Sequence, residues 1–179
     1  KTILAGTEKS GLRIFDSAQK SVIKPDFLKD VSVITLHKDS KQMLWIGTDG
    51  DGLYYLPASG FPDFSQAKKI SGLTNASVLY LQELENGQLL AGTYQGLNWI
   101  ENQQVVKRFR LPPDSAGIVK DDRILAIEPH TGGSFWMGTH TGGMSYYDGR
   151  QAKFIHPDST DYLFDIPSKR VNVIHKNAA

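Results

Sequence analysis

The sequence predicts an all-β fold, because short apolar strands recur along it with turn-forming residues between them. The clearest mark is a Gly-Thr pair that closes an apolar run, and it occurs four times, at Gly6-Thr7, Gly47-Thr48, Gly92-Thr93 and Gly138-Thr139. The glycines of these pairs lie 41, 45 and 46 residues apart. Internal copies at such a period indicate a repeat architecture built from one small unit.

Each repeat reads as a first strand, a turn, a second strand that ends in the Gly-Thr pair, a tight turn, and a third strand. The predicted first strands lie at 33–36, 78–81, 124–127 and 171–174. A glycine in each tight turn is expected to have a positive φ angle; these are Gly11, Gly52, Gly96 and Gly143. Fourth strands are predicted at 105–111 and 152–156. Four strands in about 40–50 residues match one blade of a β-propeller.

Other fold classes fit this pattern less well. An apolar period near two and frequent glycines exclude a helical repeat, and a β-sandwich would not need such regular internal copying. We therefore predict a β-propeller of four-stranded antiparallel blades with about four repeats.

The repeats divide the chain into four units. We expect 1–179 to be a single propeller domain or an excerpt of a larger propeller, with repeats at about 171–179 plus 1–30, 31–75, 76–121 and 122–170. The chain opens at Lys1 on a second strand, and 171–174 has the form of a first strand without its second. Pairing between the two would close a ring, and the sequence fits a closed ring and an open arc equally well.

Composition narrows the classes of function. The 179 residues are 40% hydrophobic and 22% charged, with a formal net charge of +1. This balance gives no field that favours nucleic acid or an anionic membrane surface. The absence of cysteine excludes disulfides and thiolate metal sites. The five histidines lack the spacing of a metal site, so we predict no metal and no cofactor.

Alignment of the repeats separates core positions from candidate binding positions. Trp45 and Trp136 share a column with Leu4 and Leu90, so we interpret this column as packing between blades. The turns after the second strands and the segments before the first strands are polar and differ between repeats, which is typical of recognition loops on a rigid scaffold. The predicted ligand-binding residues in these loops are Asp49, Asp51, Tyr94, Gln95, Arg123, His140, Thr141 and Arg170. The long loop at 157–170, with Tyr162 and Phe164, is a candidate lid, interface or plug.

Two of the repeats resemble a known family. The two-component regulator propeller repeat runs Val-x-x-Ile-x-x-Asp-x-x-Gly-x-Leu-Trp-Ile-Gly-Thr, then Gly-Leu and an aromatic-Asp ending. The matching positions here are Val33, Leu36, Asp39, 44–48, Gly52 and Leu53 in one copy, and Ile124, Ile127, Gly133, 135–139, Gly143, Tyr147 and Asp148 in another. The copies around Gly6 and Gly92 lack the tryptophan, and Leu84 and His130 stand in the aspartate column.

The resemblance implies a sensory role. Proteins similar to this carry the repeat in an extracytoplasmic region, followed beyond a membrane span by a histidine kinase or a diguanylate cyclase. It therefore implies a periplasmic, non-catalytic recognition module that binds a small molecule or an oligosaccharide and reaches the membrane only through its parent protein. The remaining blades of the parent receptor, or a second copy in a homodimer, are the other expected partners.

Two other classes of function stay open at this point. Propellers also host glycosidases and lyases, and Asp49, Asp51, Asp121 and Asp122 are the candidate acids for such chemistry on oligosaccharides. A scaffold for protein–protein contacts is the third class. No spacing in the sequence supports a catalytic pair, so recognition is the leading hypothesis.

Overall fold

The computed structural model describes residues 2–57, 59, 61, 63–110, 123–155 and 170–177. These residues form fifteen strands and include a short 3-10 turn at Thr131–Gly133. The strands are β1 Thr2–Thr7, β2 Gly11–Asp16, β3 Ser21–Ile23, β4 Val33–Lys38, β5 Met43–Thr48, β6 Leu53–Pro57, β7 Lys68–Lys69, β8 Val78–Glu83, β9 Leu89–Thr93, β10 Gly96–Glu101, β11 Gln104–Phe109, β12 Ile124–Pro129, β13 Phe135–Thr139, β14 Met144–Asp148 and β15 Lys153–Ile155.

The strands make four antiparallel sheets in sequence order, which we call blades 1 to 4. Blade 1 has the order β1-β2-β3, blade 2 β4-β5-β6-β7, blade 3 β8-β9-β10-β11 and blade 4 β12-β13-β14-β15. The first strand β8 contacts both β4 and β12, the first strands of the blades beside it, so the first strands lie on the inner side of the arc. The predicted all-β propeller architecture of antiparallel blades is confirmed.

The predicted first strands at 33–36, 78–81 and 124–127 lie within β4, β8 and β12, whereas the one predicted at 171–174 is wrong, because these residues pair with no strand in the described part of the chain. The predicted fourth strands at 105–111 and 152–156 correspond to β11 and β15, although Leu111 and His156 lie outside the described residues. The tight-turn glycines have positive φ angles as expected, with 67° at Gly11, 81° at Gly52, 108° at Gly96 and 75° at Gly143.

The threonine of each Gly-Thr pair explains why that residue recurs. Its hydroxyl donates a hydrogen bond to the carbonyl of the tight-turn glycine, at 2.8 Å for Thr7, 2.7 Å for Thr48, 2.8 Å for Thr93 and 3.1 Å for Thr139. In blades 2 to 4 the same hydroxyl also accepts a backbone N–H from the turn. The threonine therefore closes the turn between the second and third strands from inside.

The glycine of each pair lies where the next blade comes closest. A Cβ atom built on Gly92 would lie 2.8 Å from Cβ of Ile124, and one on Gly47 would lie 3.0 Å from Cγ1 of Val78. Both distances are below van der Waals contact, so only glycine lets the first residue of the following blade reach this depth.

Three apolar clusters fill the spaces between consecutive blades. The cluster between blades 1 and 2 contains Leu12 and Ile46, and the one between blades 2 and 3 contains Trp45 and Leu81. The cluster between blades 3 and 4 includes Leu90, Trp99, Phe135, Met137 and Tyr147. Trp45 and Leu90 are 2% and 0% exposed. The interpretation of their column as packing between blades agrees with this burial.

The first and last parts of the arc differ from the middle. Blade 1 has three strands, with β1 at its edge, and residues 171–177 form no strand in the described part of the chain. The ring closure that the sequence left open is therefore not formed between these residues. Val171 nevertheless lies against blade 4, because its N–H donates to the carbonyl of Thr139 at 2.9 Å.

Candidate functional site

Most of the predicted binding residues lie at one end of the sheets, which we call the loop face. It consists of the turns after the second strands and of the residues just before the first strands. The N–H of the first turn residue donates to the carbonyl of the residue before the first strand of the same blade. These pairs are Asp49 with Ser32 at 2.9 Å, Tyr94 with Ser77 at 3.1 Å, and His140 with Arg123 at 3.1 Å.

Neighbouring blades are joined across this face. The Ser77 hydroxyl of blade 3 donates to Oδ1 of Asp49 in blade 2 at 2.6 Å. The Lys9 N–H of blade 1 donates to Oγ of Ser32, which precedes blade 2, at 3.0 Å. These two bonds join blades 1, 2 and 3 across the loop face.

The two aspartates of the first candidate turn are held by other protein groups. Asp51 forms an ion pair with Lys69, with 2.7 Å between Oδ1 and Nζ, and accepts a hydrogen bond from the Tyr54 hydroxyl at 3.0 Å. The hydrogen bond to Asp51 raises the pKa of Lys69. The pKa of Tyr54 is raised mainly by burial and also by Asp51. Asp51 thus fixes the third strand of blade 2 to β7, and Asp49 fixes blade 2 to Ser77.

Tyr94 and Gln95 lie in the turn of blade 3. The Tyr94 side chain is 47% exposed, which leaves its ring available as a surface for stacking. Oε1 of Gln95 accepts a hydrogen bond from Nη2 of Arg110 at 2.7 Å, and its N–H donates to Oγ1 of Thr93. Gln95 therefore has intramolecular partners, whereas Tyr94 presents its ring at the surface of the loop face.

The blade 4 portion of the face brings a histidine close to two arginines along the backbone. His140 is bonded through its N–H to the carbonyl of Arg123, and Arg170 immediately precedes Val171, which is bonded to Thr139. Nε of Arg170 donates to Oδ1 of Asn172 at 2.9 Å. Thr141 follows His140 in the same turn.

The His140 ring has an unusual feature. Its Nδ1 is buried and has no hydrogen-bond partner in the part of the chain that the structure describes. A buried polar atom without a partner is costly in a stable protein and is more common where a ligand or a water molecule completes the bonding.

Sequence reasoning did not find the bulges next to this face. The pairing register shifts in the first strands between Val33 and Thr35, between Val78 and Tyr80, and between Ile124 and Ala126. The residues inside these bulges are apolar in all three blades: Ile34, Leu79 and Leu125. Bulges of this kind are common next to binding sites, but simple alternation of residues in the sequence gives no signal for them.

Some predicted features lie outside the described residues. These are Asp121 and Asp122 of the enzyme hypothesis and the part of the long loop at 157–169, with Tyr162 and Phe164. Within the described ranges, no three His, Asp or Glu side chains are placed to hold a metal ion. The same ranges contain no helix with the length and apolar character needed to cross a membrane.

Comparison with solved structures places the arc among known proteins. The chain is similar to the extracellular domain of BT4673 from B. thetaiotaomicron, which is named as a candidate one component system. The match has 27% identity and a TM-score of 0.64, and it covers 82% of this chain and 20% of that one. The resemblance to two-component regulator propeller domains is confirmed. This chain spans about a fifth of the length of that relative.

The remaining comparisons inform the fold of this chain at most. Raptor from Chaetomium thermophilum matches over 96% of this chain and 16% of its own length, with 16% identity and a TM-score of 0.63, which shows a shared fold. The extracellular domain of BT3049 from B. thetaiotaomicron matches at 20% identity over 87% of this chain and 26% of that one, but with a TM-score of only 0.37. No protein-family model and no curated protein matches the sequence.

Proposed function

We propose that this chain is an extracytoplasmic, non-catalytic recognition module of a signalling receptor and that it binds its ligand on the loop face. The observation that carries the proposal is the similarity to the extracellular domain of a signalling protein over 82% of the chain. A periplasmic location and a kinase or cyclase output in the parent protein are part of the same proposal.

The chemistry of the loop face supports an oligosaccharide as the ligand class. Tyr94 offers an exposed ring on which a sugar can stack. Arg123 and Arg170 lie next to the His140 turn along the backbone, since the His140 N–H donates to the Arg123 carbonyl and the Val171 N–H donates to the Thr139 carbonyl. Guanidinium groups favour carboxylates, also where they keep partners within the protein. We therefore expect oligosaccharides that contain uronic acids to bind more tightly than neutral ones.

Signalling would follow if the ligand binds one arrangement of the receptor more tightly than another. A ligand that spans neighbouring blades contacts both sides of a blade junction, and it favours the receptor arrangement in which that junction fits it best. Such a shift would change the geometry of the hydrogen bonds between blades at Asp49–Ser77 and Lys9–Ser32.

Calorimetric titration with a panel of neutral and uronic-acid oligosaccharides tests the proposal. Tyr94→Ala and Arg123→Ala are expected to weaken binding by roughly 10-fold or more, because each removes one anchoring contact. Glu85→Ala, in the exposed turn between β8 and β9 at the opposite end of blade 3, is the matched control and should bind normally.

Two further variants separate recognition from structure. Asp51→Ala should leave affinity nearly unchanged, because that carboxylate is already paired with Lys69. Equal affinity of Tyr94→Ala and the parent for a ligand that binds would remove the loop-face assignment. Turnover of any oligosaccharide in the panel, followed by product analysis, would favour the enzyme hypothesis instead.

A further inference from the structure

Two arginines at the outer edge of blade 3 reach the loop face with uncharged partners. Arg108 lies near the end of β11, Arg110 follows directly after that strand, and both side chains are exposed. Nε of Arg108 donates to the carbonyl of Gly72, and Nη2 of Arg110 donates to Oε1 of Gln95 at 2.7 Å. Neither guanidinium forms an ion pair within the ranges that the structure describes.

The strand turns both arginines toward the same side of blade 3. Phe109, the residue between them, packs against the cluster between blades 3 and 4. Since successive side chains of a strand point to opposite faces, Arg108 and Arg110 point toward blade 2. Gly72 belongs to the segment that leads from blade 2 to blade 3, in agreement with this orientation. The Cα atoms of the two arginines are about 6.5 Å apart in such an extended chain.

The partners of the two arginines are themselves fixed. The Thr74 N–H donates to Oδ1 of Asn98 at 2.8 Å, and the Asn98 amide donates to Oγ1 of Thr74 at 2.9 Å. Asn98 is fully buried and stands opposite Arg108 in the sheet. The Gln95 N–H donates to Oγ1 of Thr93 at 3.2 Å. Each guanidinium is therefore oriented by an uncharged acceptor on a fixed part of the blade, which occupies one of its five N–H donors and leaves its charge uncompensated in the described part of the chain.

The exposed Tyr94 ring belongs to the same turn as Gln95, between β9 and β10. The Tyr94 N–H donates to the carbonyl of Ser77, just before the inner strand of blade 3, and the Ser77 hydroxyl donates to Asp49. The negative charge of Asp49 thus lies toward the inner side of this blade, whereas the two arginines lie at its outer side. An anion on the loop face of blade 3 is therefore attracted toward the outer strand.

We propose that Arg108 and Arg110 form an anion subsite at the outer side of the loop face of blade 3, and that the ligand is an oligosaccharide with two or more uronic acid residues. The inference rests on the proposed function, because it assumes that an oligosaccharide stacks on Tyr94. Guanidinium groups bind carboxylates through two parallel hydrogen bonds. One carboxylate of the chain is then held by this pair, in addition to the carboxylate that Arg123 and Arg170 favour.

Calorimetric titration with acidic oligosaccharides of increasing length tests the inference. Uronic acid chains of one, two and three residues are compared with neutral chains of the same lengths. For the parent protein, affinity is expected to rise by roughly 10-fold or more when the second acid is added, because hydrogen bonds to charged groups are among the stronger ones. Neutral chains should gain several-fold less from the added residue.

Two substitutions should remove most of this gain. In Arg110→Gln and in Arg108→Gln, a chain with two acids is expected to bind about as well as a single uronic acid. Arg110→Lys should keep part of the gain, since it keeps the charge but loses the planar fork. Arg150→Gln is the matched control, because Arg150 is exposed in the turn between β14 and β15, at the end of blade 4 opposite the loop face.

The stability of the variants is checked by circular dichroism and thermal unfolding. Arg110→Gln removes only a contact to the side chain of Gln95. It therefore tests the subsite even where the loss of the Gly72 contact in Arg108→Gln disturbs the fold.

The salt dependence of binding supplies an independent readout. An additional ion pair makes the affinity for the chain with two acids fall more steeply with NaCl concentration than the affinity for the single acid. In the double variant with Arg108→Gln and Arg110→Gln, the two slopes should be equal. A disaccharide with sulfate esters in place of the carboxylates is titrated in parallel and should gain less than the uronic acid chain, because the planar fork of the guanidinium matches a carboxylate.

Four results would overturn the inference. An undiminished gain in both Arg→Gln variants removes the subsite, and the loop face still stands as the binding site if Tyr94→Ala binds more weakly in the same series. An equal gain for neutral chains shows that the added residue is not recognised by its charge. A larger gain for the sulfated disaccharide excludes uronic acids as the ligand class. Absence of binding by every oligosaccharide would contradict the proposed function itself and this inference with it.

Discussion

The indole Nε1 of Trp45 donates a hydrogen bond of 2.8 Å to Oδ2 of Asp39 inside blade 2. The other carboxylate oxygen accepts the Met43 N–H at 2.8 Å, and the Asp39 side chain is largely buried. One carboxylate therefore connects the turn between β4 and β5 to the tryptophan that packs against blade 3.

The first prediction concerns this carboxylate. Asp39→Ala is expected to lower the free energy of unfolding by about 3 kcal/mol, because two hydrogen bonds to a charged acceptor are lost and the indole N–H is left buried without its partner. Trp45→Phe should cost about 2–4 kcal/mol through lost packing and an unpaired carboxylate oxygen. Urea unfolding followed by fluorescence or circular dichroism measures both losses.

A double-mutant cycle separates the hydrogen bond from the packing. The double variant should be less unstable than the sum of the single variants by about 1–2 kcal/mol, because the carboxylate and the indole interact directly. Glu85→Ala, an exposed carboxylate in the equivalent turn of blade 3, should change stability by less than about 0.5 kcal/mol. Strict additivity would show that the bond contributes nothing to stability.

The second prediction compares one substitution at two equivalent positions. Leu90 is fully buried between blades 3 and 4, whereas Leu4 in the same column of blade 1 is only partly buried. Leu90→Ala is expected to cost about 3–5 kcal/mol and Leu4→Ala about 1–2 kcal/mol, because the loss grows with the contacts that are removed. Chemical denaturation of both variants in parallel measures the two losses in unfolding free energy. Equal losses would contradict the conclusion that Leu90 is packed more tightly than Leu4.

The third prediction is a dependence of stability on pH through His37. Burial lowers the pKa of His37, although the nearby carboxylates of Glu83 and Asp39 raise it. Its Nε2 is buried without a partner among the described residues, which also disfavours a second ring proton. The unfolded chain therefore binds this proton more readily than the folded one, so stability should fall as the pH drops below about 6.5.

Thermal unfolding at pH 7 and pH 5 checks the effect. The parent should melt at a lower temperature at pH 5, and His37→Gln should show a smaller decrease between the two values. His130→Gln is the matched control, because His130 is exposed, and it should keep the full decrease. An unchanged decrease in His37→Gln would assign the pH dependence to other groups.

Much of the fold can be predicted from the sequence because equivalent positions of the four repeats can be compared with one another. A position that holds Trp in one copy and Leu in another, as at Trp45 and Leu90, indicates volume filled between blades before any coordinates are known. The column assignment was correct for this reason. The bulges at Ile34, Leu79 and Leu125 were missed because a single extra residue on one strand leaves the apolar pattern almost unchanged.

The candidate site was harder to predict, because the partners of its residues are distant in the sequence. Asp51 looks like a free ligand group until Lys69 is brought beside it by the short strand β7. Asp49 is likewise committed to Ser77 of the next blade. Tyr94, by contrast, has the exposed ring that its place in a polar turn indicated.

The close approach at the Gly-Thr pairs also determines the curvature of the whole arc. At Gly92 the side chain of Ile124 packs directly on the backbone. The distance between the two backbones at this contact therefore sets the angle between neighbouring blades. An added methyl group at these four glycines would act as a wedge on one side of every junction. A repeat with alanine there would open each step slightly, and a ring built from it would need a different number of blades to close.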